Sequence, residues 1–258
     1  IYHNKKNLLK KFFLIILIKK CNYIICDSSK LIKAASELGA SKIRSEIIAF
    51  GTDIKKYKST RKAFSNIVES NFINIGTNRY MEEIYDPITL LKAANILSKK
   101  NNNYKFIIAN NGSLKKELQA YVFKNNLQNI VNFIGPQYGK DNIEFYNSID
   151  IYVSTSLRDG GLAASVAEAM SCERLVIVSD NSENSKYIKN GYSGYLFENK
   201  NYLILAELIE KSYIEHHKSK SIAEKGREVI LNSCNYYLEM TKVDHIYNKL
   251  IKKKSVEI

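Results

Sequence analysis

The chain has 258 residues, 45% of them hydrophobic and 25% charged, with 39 Lys and Arg against 26 Asp and Glu for a net charge of +13. This composition is enough to bury a real core, in one large domain or two. The basic excess does not describe a nucleic-acid surface, because it gathers at the two ends, in Lys5, Lys6, Lys10, Lys11, Lys19 and Lys20 and in Lys249, Lys252, Lys253 and Lys254, with no nucleic-acid module between them.

The first element is a basic helix. Its seven apolar residues from Phe12 to Ile18 are too few to span a bilayer, so they form a buried helix face or an interfacial helix, and the flanking lysines suit an anionic membrane surface. A strand at 23–26, a helix after Ser28-Ser29 and a strand at 46–49 follow. They are assigned, with the linker, to a first domain covering 1–58. From residue 59 to 232 strands and helices alternate: strands at 72–76, 104–109, 130–135, 151–154 and 175–178, with helices near 87–99, 114–124, 142–147 and from 163. Apolar runs of about five residues between amphipathic segments predict an α/β domain with a Rossmann-like, doubly wound parallel sheet. The remainder is helical, from 202–217 to a last helix and basic tail at 233–258. Cys21, Cys26, Cys172 and Cys234 are scattered and form no Cys-x-x-Cys pair, which reads as reduced thiols of a cytoplasmic protein. His3, His216, His217 and His245 add no metal spacing, so neither metal nor cofactor is expected.

The most informative stretch runs from Ser156 to Met170. Two glycines, Gly160 and Gly161, stand at the mouth of a helix directly after a strand. Such a helix start, at Gly161, Leu162 and Ala163, offers unpaired N–H groups and the positive end of a dipole to an anion. Leu162, Val166 and Met170 fall on one stripe with Ala163 and Ala167 beside it, so that face packs on the sheet. Glu168 lies off the stripe, either as a solvated carboxylate or as an acceptor for ribose or sugar hydroxyls. Asp159 is read as a sugar contact or as a cap of the helix, Arg79 as a phosphate ligand or a surface ion pair, and Asn110-Asn111-Gly112 as a tight turn or a nucleotide contact.

These residues resemble the C-terminal, donor-binding half of retaining glycosyltransferases of the GT-B fold, the glycosyl transferase group 1 family. Asp159-Gly160-Gly161-Leu162 and Glu168-Ala169-Met170 resemble its acidic, Gly-rich turn and helix, with eight residues between the two carboxylates instead of seven, so that Gly160 takes the first slot. Other landmarks fall in the family's order. Phe50-Gly51-Thr52-Asp53 resembles the interdomain segment. Gly76 followed by Arg79 resembles the first strand and its phosphate-binding arginine, with Ile84 where a lysine is common. Gly135 resembles the end of the strand bordering the base, and Asp180, Ser182 and Asn184 resemble the sugar-covering loop.

The resemblance implies a nucleotide-sugar donor, UDP- or GDP-linked, and a carbohydrate or lipid-linked acceptor, with retention and no metal. It implies catalytic roles for Arg79 and Glu168 and donor contacts from Gly76, Gly135, Asp159, Gly160, Gly161, Leu162, Ala163 and Asn184. A pyrophosphate would rest between the helix start and Arg79. The last helix, near 236–250, would cross back to the N-terminal domain. Much of that domain is missing from these 258 residues, so the chain is expected to be a fragment. The competing expectation is a module that binds nucleoside diphosphates without turnover.

Overall fold

A computed structural model of the protein describes residues 5–41, 44–65, 67, 72–100, 103–181 and 183–256. Ser182, His3 and the side chains of Lys5, Lys6, Lys253 and Lys254, named above, lie outside that description. The chain divides into two compact units, one of Thr52–Asn235 and one of Ile1–Gly51 with Tyr236–Ile258.

The smaller unit holds α1 (Lys5–Lys20), β1 (Ile24–Cys26), α2 (Ser29–Glu37), β2 (Ser45–Ile47) and the final helix Tyr236–Val256. β1 and β2 pair in parallel, Ile25 opposite Glu46. α2 starts where Ser28 accepts a hydrogen bond from the Leu31 N–H (3.3 Å), a side-chain cap that satisfies one orphan donor of the first turn. The final helix joins this unit through Glu239, buried and accepting from the Ala49 N–H (3.1 Å).

The larger unit contains β3 (Ile73–Thr77), α3 (Pro87–Ser98), β4 (Tyr104–Ala109), α4 (Lys115–Lys124), β5 (Val131–Gly135), α5 (Gly139–Ser148), β6 (Ile151–Ser154), α6 (Ala164–Ser171), β7 (Leu175–Ser179), α7 (Asn184–Tyr187), β8 (Tyr195–Phe197), α8 (Tyr202–Ile214) and α9 (His216–Ser233). Its six strands are all parallel, in the order β5-β4-β3-β6-β7-β8. The predicted doubly wound sheet is therefore present. β6 and β7 are buried at every position, as an inner parallel strand covered on both faces requires, whereas in the edge strand β5 only Val131 is buried and exposed residues alternate with half-buried ones. The first strand, β3, sits beside β6, so the order of the sheet reverses between them. In such sheets that reversal opens a crevice beyond the carboxyl ends of the strands.

Local chemistry fixes the frame. Pro87 opens α3, its ring already at the helical φ. Gly76 lies inside β3, where a Cβ would come 2.6 Å from Ile149 Cγ2, so its bare backbone lets the turn after α5 pack on the sheet. The helix expected over 202–217 breaks at Glu215 (φ −95, ψ 39), and α9 sets off anew, burying Ser219, Ile222, Ala223, Gly226 and Ile230. Gly226 packs so closely that a Cβ would meet the Ser193 carbonyl at 2.9 Å.

At the amino ends of β6 and β7, remote along the strands from the crevice, a charged cluster anchors the segment that enters the unit. Asp150 pairs with Arg61 (3.0 Å) and accepts from the N–H groups of Phe64 (2.8 Å) and Asn74 (2.9 Å). Arg174, fully buried, donates to the carbonyls of Cys172 and Ile149 (2.8 Å each), to Ser59 Oγ (3.0 Å) and to the Arg61 carbonyl. Burial, then the neighbouring Arg61, brings the Arg174 guanidinium down to about 10, which still leaves it charged at neutral pH.

Candidate functional site at the reversal of the sheet

Arg79 leaves the carboxyl end of β3, two residues past Thr77, and turns toward the segment that follows β6. Its guanidinium forms an ion pair with Asp159, donates from Nη1 to Ser165 Oγ (3.2 Å), and stacks over the Tyr85 ring at 4.3 Å. Its Nε is buried with no hydrogen-bond acceptor. The side chains of Arg79 and Asp159 are 15% and 10% exposed, so the two ends of the reversal are bridged by a pair largely withdrawn from water. Of the two readings of Arg79, the ion pair is present, but in the crevice and not at the surface.

The helix after β6 begins later than the sequence suggested. Ala163 is the N-cap (φ −62, ψ 135) and α6 starts at Ala164, because Gly160, Gly161 and Leu162 continue the turn. The Val166 and Ala167 N–H groups bond to the Ala163 carbonyl (3.0 and 3.1 Å). The first-turn donors without an intrahelical acceptor are therefore those of Ala164 and Ser165. Of the expected apolar stripe, Val166 and Met170 are buried with Ala163 and Ala167 beside them, whereas Leu162 lies ahead of the helix and is half-buried. Asp159 does not cap the helix, since no side chain does so; it holds Arg79, while its own N–H is held by Asn181 Oδ1 (3.1 Å). The guanidinium thus touches the helix start directly, with the carboxylate of Asp159 paired to it.

Glu168, one turn further along α6, faces a polar cluster. Its Oε2 accepts from the Tyr146 hydroxyl (2.8 Å) and from Asn142 Nδ2 (3.3 Å), and Tyr57 adds a third hydrogen bond. Burial pushes its carboxyl above the usual range, opposed by those three donors and by the charge of Lys56. The same burial pushes Tyr57 and Tyr152 up to about 12, and Tyr146 well above 10. Glu168 is therefore not the freely solvated carboxylate of the bland reading. The sequence alone does not single out Tyr57, Asn78, Asn142, Tyr146 and Tyr152. Tyr146 and Tyr152 sit within apolar patterns, and nothing in spacing alone distinguishes them from core aromatics.

Beside the pair lies a hollow of about 490 Å³ lined by Glu82, Glu83, Ile84, Ser113 and Leu157, a volume suited to a small molecule. The Leu157 N–H donates to the Ile84 carbonyl (2.8 Å), which stitches the β6 turn to the segment after Arg79. Ile84, where the family resemblance called for a lysine, is 40% exposed and brings no charge. Asn110 takes a left-handed φ of 93, and a Cβ on Gly112 would strike the Met81 carbonyl oxygen at 2.3 Å, so the chain bends sharply here and packs closely on Met81. Gly135 ends β5 at φ 75 with open space around it. Asn184 is 2% exposed, and its Nδ2 donates to the Ser179 carbonyl (2.9 Å) at the end of β7 while its Oδ1 is buried without a hydrogen-bond partner. Among the described residues no group of His, Cys, Asp and Glu is arranged to hold a metal ion, and no helix is long and apolar enough to cross a membrane.

A parallel sheet reversing between β3 and β6, with an arginine and a helix start meeting at the reversal, defines a doubly wound α/β domain. Comparison with known proteins gives the family: residues 58–229 match the model for glycosyl transferases group 1, and the chain belongs to that family. It is 26% identical over 168 residues to the capsular polysaccharide biosynthesis glycosyltransferase CapM of Staphylococcus aureus, covering 64% of this chain and 43% of that protein. It is 29% identical over 161 residues to the poly(ribitol-phosphate) alpha-N-acetylglucosaminyltransferase of the same species, covering 62% of this chain and 32% of that one. The chain thus spans less than half the length of these relatives. In fold it is similar to Anabaena HepE, solved in complex with UDP, with a TM-score of 0.82 at 18% identity over 96% of this chain and 69% of the other. The expected GT-B-like fold is confirmed.

Proposed function

We propose that this chain carries the donor-binding part of a glycosyltransferase that moves a sugar from a nucleoside-diphosphate sugar, UDP- or GDP-linked, to a carbohydrate or lipid-linked acceptor, in the making of a cell-surface polysaccharide or glycoconjugate. The observation that supports it best is Arg79 meeting the start of α6 at the reversal of the sheet. When the anomeric C–O bond breaks, negative charge builds on the departing diphosphate. A guanidinium offers that group a rigid fork of donors, and the N–H groups of Ala164 and Ser165 add the partial positive charge of a helix start. Glu168, already an acceptor of three hydrogen bonds, takes ribose hydroxyls in the same geometry. Retention and a reaction without a metal are what the family resemblance implies. The names of CapM and of the Staphylococcus transferase, and the UDP bound to HepE, agree with this reading.

A thermal-shift panel of UDP, GDP and ADP sugars tests it. A ligand at 100 times its Kd stabilises by about 2.7 kcal/mol, so one of the three should raise Tm clearly. Replacing Arg79 by glutamine should abolish that rise and, in a turnover assay of the longer protein, cost about 10²- to 10³-fold in rate. Binding without any turnover would favour the module that binds nucleoside diphosphates and does not catalyse.

The exposed side chains of α1 favour a second, compatible reading. Leu9, Phe12, Phe13 and Leu17 are 59–65% exposed and are flanked by exposed Lys10, Lys11, Lys19 and Lys20, so that this helix contacts an anionic membrane surface from one side.

A further inference from the structure

Arg79 and Glu168, which the reading above places at the phosphate and ribose ends of one ligand, are joined through the protein interior. Arg79 Nη1 donates to Ser165 Oγ (3.2 Å), and the Ser165 hydroxyl bonds to the phenol oxygen of Tyr152. The Tyr152 hydroxyl donates to Asn78 Oδ1 (2.8 Å), Asn78 Nδ2 donates to the Tyr146 oxygen (2.9 Å), and the Tyr146 hydroxyl donates to Glu168 Oε2 (2.8 Å). Every bond points from the cation toward the carboxylate. A hydroxyl has one proton, so once each oxygen accepts from the cation side its own proton must go onward. Tyr146 and Tyr152 are fully buried, and in such surroundings successive hydrogen bonds polarise one another.

Asn78 is the junction. Its side-chain amide also donates to Asn142 Oδ1 (2.9 Å), whose own amide reaches Glu168 (3.3 Å), and its backbone carbonyl accepts from Asn110 Nδ2 (3.0 Å). With two donors and one acceptor all engaged, the side chain has one orientation available.

We propose that Asn78, Tyr146 and Tyr152 are positioning residues that couple the phosphate-binding and ribose-binding ends of the site, so that a ligand engaging both ends gains more than the two contacts made separately. This rests on the donor-site reading. Its content is the coupling, which a framework of independent hydrogen bonds would not show.

The test is a double-mutant cycle on the full chain, with the Kd of UDP, or of GDP where the panel selects it, read by calorimetry. Tyr152→Phe cuts the chain while touching neither Glu168 nor a ligand. Coupling predicts that Tyr152→Phe and Glu168→Gln each weaken binding by about 5-fold or more, and that the double variant loses at least about 5-fold less than the product. Losses that multiply within about 2-fold overturn the proposal. A chain that binds neither nucleotide refutes the donor-site reading instead. The coupling is then read without ligand, from the carboxyl titration of Glu168 by carbon-13 NMR. The groups facing that carboxyl are Tyr57, Asn142 and Tyr146, with Lys56, Cys172 and Tyr152 acting through space. Tyr152→Phe should move the titration upward, because the donor on Glu168 loses polarisation, while Tyr121→Phe, whose hydroxyl bonds Asn95, should not. An unmoved curve in Tyr152→Phe overturns the proposal.

Discussion

The carboxylate of Asp159 sits on the guanidinium of Arg79, joining the turn after β6 to the end of β3. Both side chains are mostly buried, so the pair is screened less than a surface ion pair. On the donor-site reading proposed above, a diphosphate would compete with this carboxylate for the same cation.

Opposite effects on binding and on stability follow for Asp159→Asn. Freed of its carboxylate, Arg79 should bind UDP or GDP about 3- to 10-fold more tightly by calorimetry. The same change leaves a mostly buried guanidinium without its counter-charge, which costs about 1–3 kcal/mol, so Tm should fall by several degrees. Weaker nucleotide binding in this variant would show that Asp159 contacts the ligand and does not merely stand in for it.

The pH dependence of Glu168 has a definite sign. Its folded carboxyl titrates above its usual value of 4.5, first because of burial. Where that is so, the folded state binds more protons than the unfolded one, and stability falls as pH rises. The contribution is full below 4.5 and is lost as pH climbs through the raised folded value. Glu168→Gln, neutral throughout, should therefore gain Tm over the parent at about pH 8, and the gain should shrink toward pH 4.5. A constant difference across that range would mean that the three hydrogen bonds from Tyr146, Tyr57 and Asn142 cancel the cost of burial.

The sheet was legible in the sequence because inner parallel strands must be apolar throughout: Ile151-Tyr152-Val153 and Leu175-Val176-Ile177-Val178 can be little else. Strand order was not, since it is set by crossovers between distant segments. Glu168 and Arg79 stood out by neighbours in the chain, the glycine turn and the strand end. The polar cluster behind them did not, because Asn78, Tyr146 and Tyr152 come from three separate elements and meet only when β3 lies beside β6. The start of α6 was misplaced for a local reason. Leu162 and Ala163 have helical propensity, but the turn that carries Asp159 to Arg79 uses them before the helix can begin.

Asp150 should be the costliest residue of the amino-end cluster to truncate. Its two oxygens satisfy Arg61 and the N–H groups of Phe64 and Asn74, with the side chain 5% exposed. Asp150→Ala strands one guanidinium and two buried donors, and breaking a buried pair in this way costs about 3–5 kcal/mol. Urea unfolding should show that loss as a lower midpoint. Asp150→Asn, which keeps an acceptor for part of the set, should lose less. Equal losses would show that the carbonyl oxygen contributes nothing and the charge everything.

The α1 helix carries the membrane reading, and salt separates its two components. Attraction of lysines to anionic lipid is worth about 1 kcal/mol per residue near the surface and fades within a Debye length, whereas insertion of Phe12 and Phe13 does not depend on salt. Sedimentation with vesicles containing phosphatidylserine should show binding at low ionic strength that weakens strongly at about 0.5 M salt, and no binding to neutral vesicles. Replacing Lys10, Lys11, Lys19 and Lys20 together by glutamine should remove most of it. Phe12→Ser with Phe13→Ser should weaken binding by a factor that is the same at low and high salt. Failure to sediment with anionic vesicles at low salt would assign these exposed apolar side chains to a protein partner.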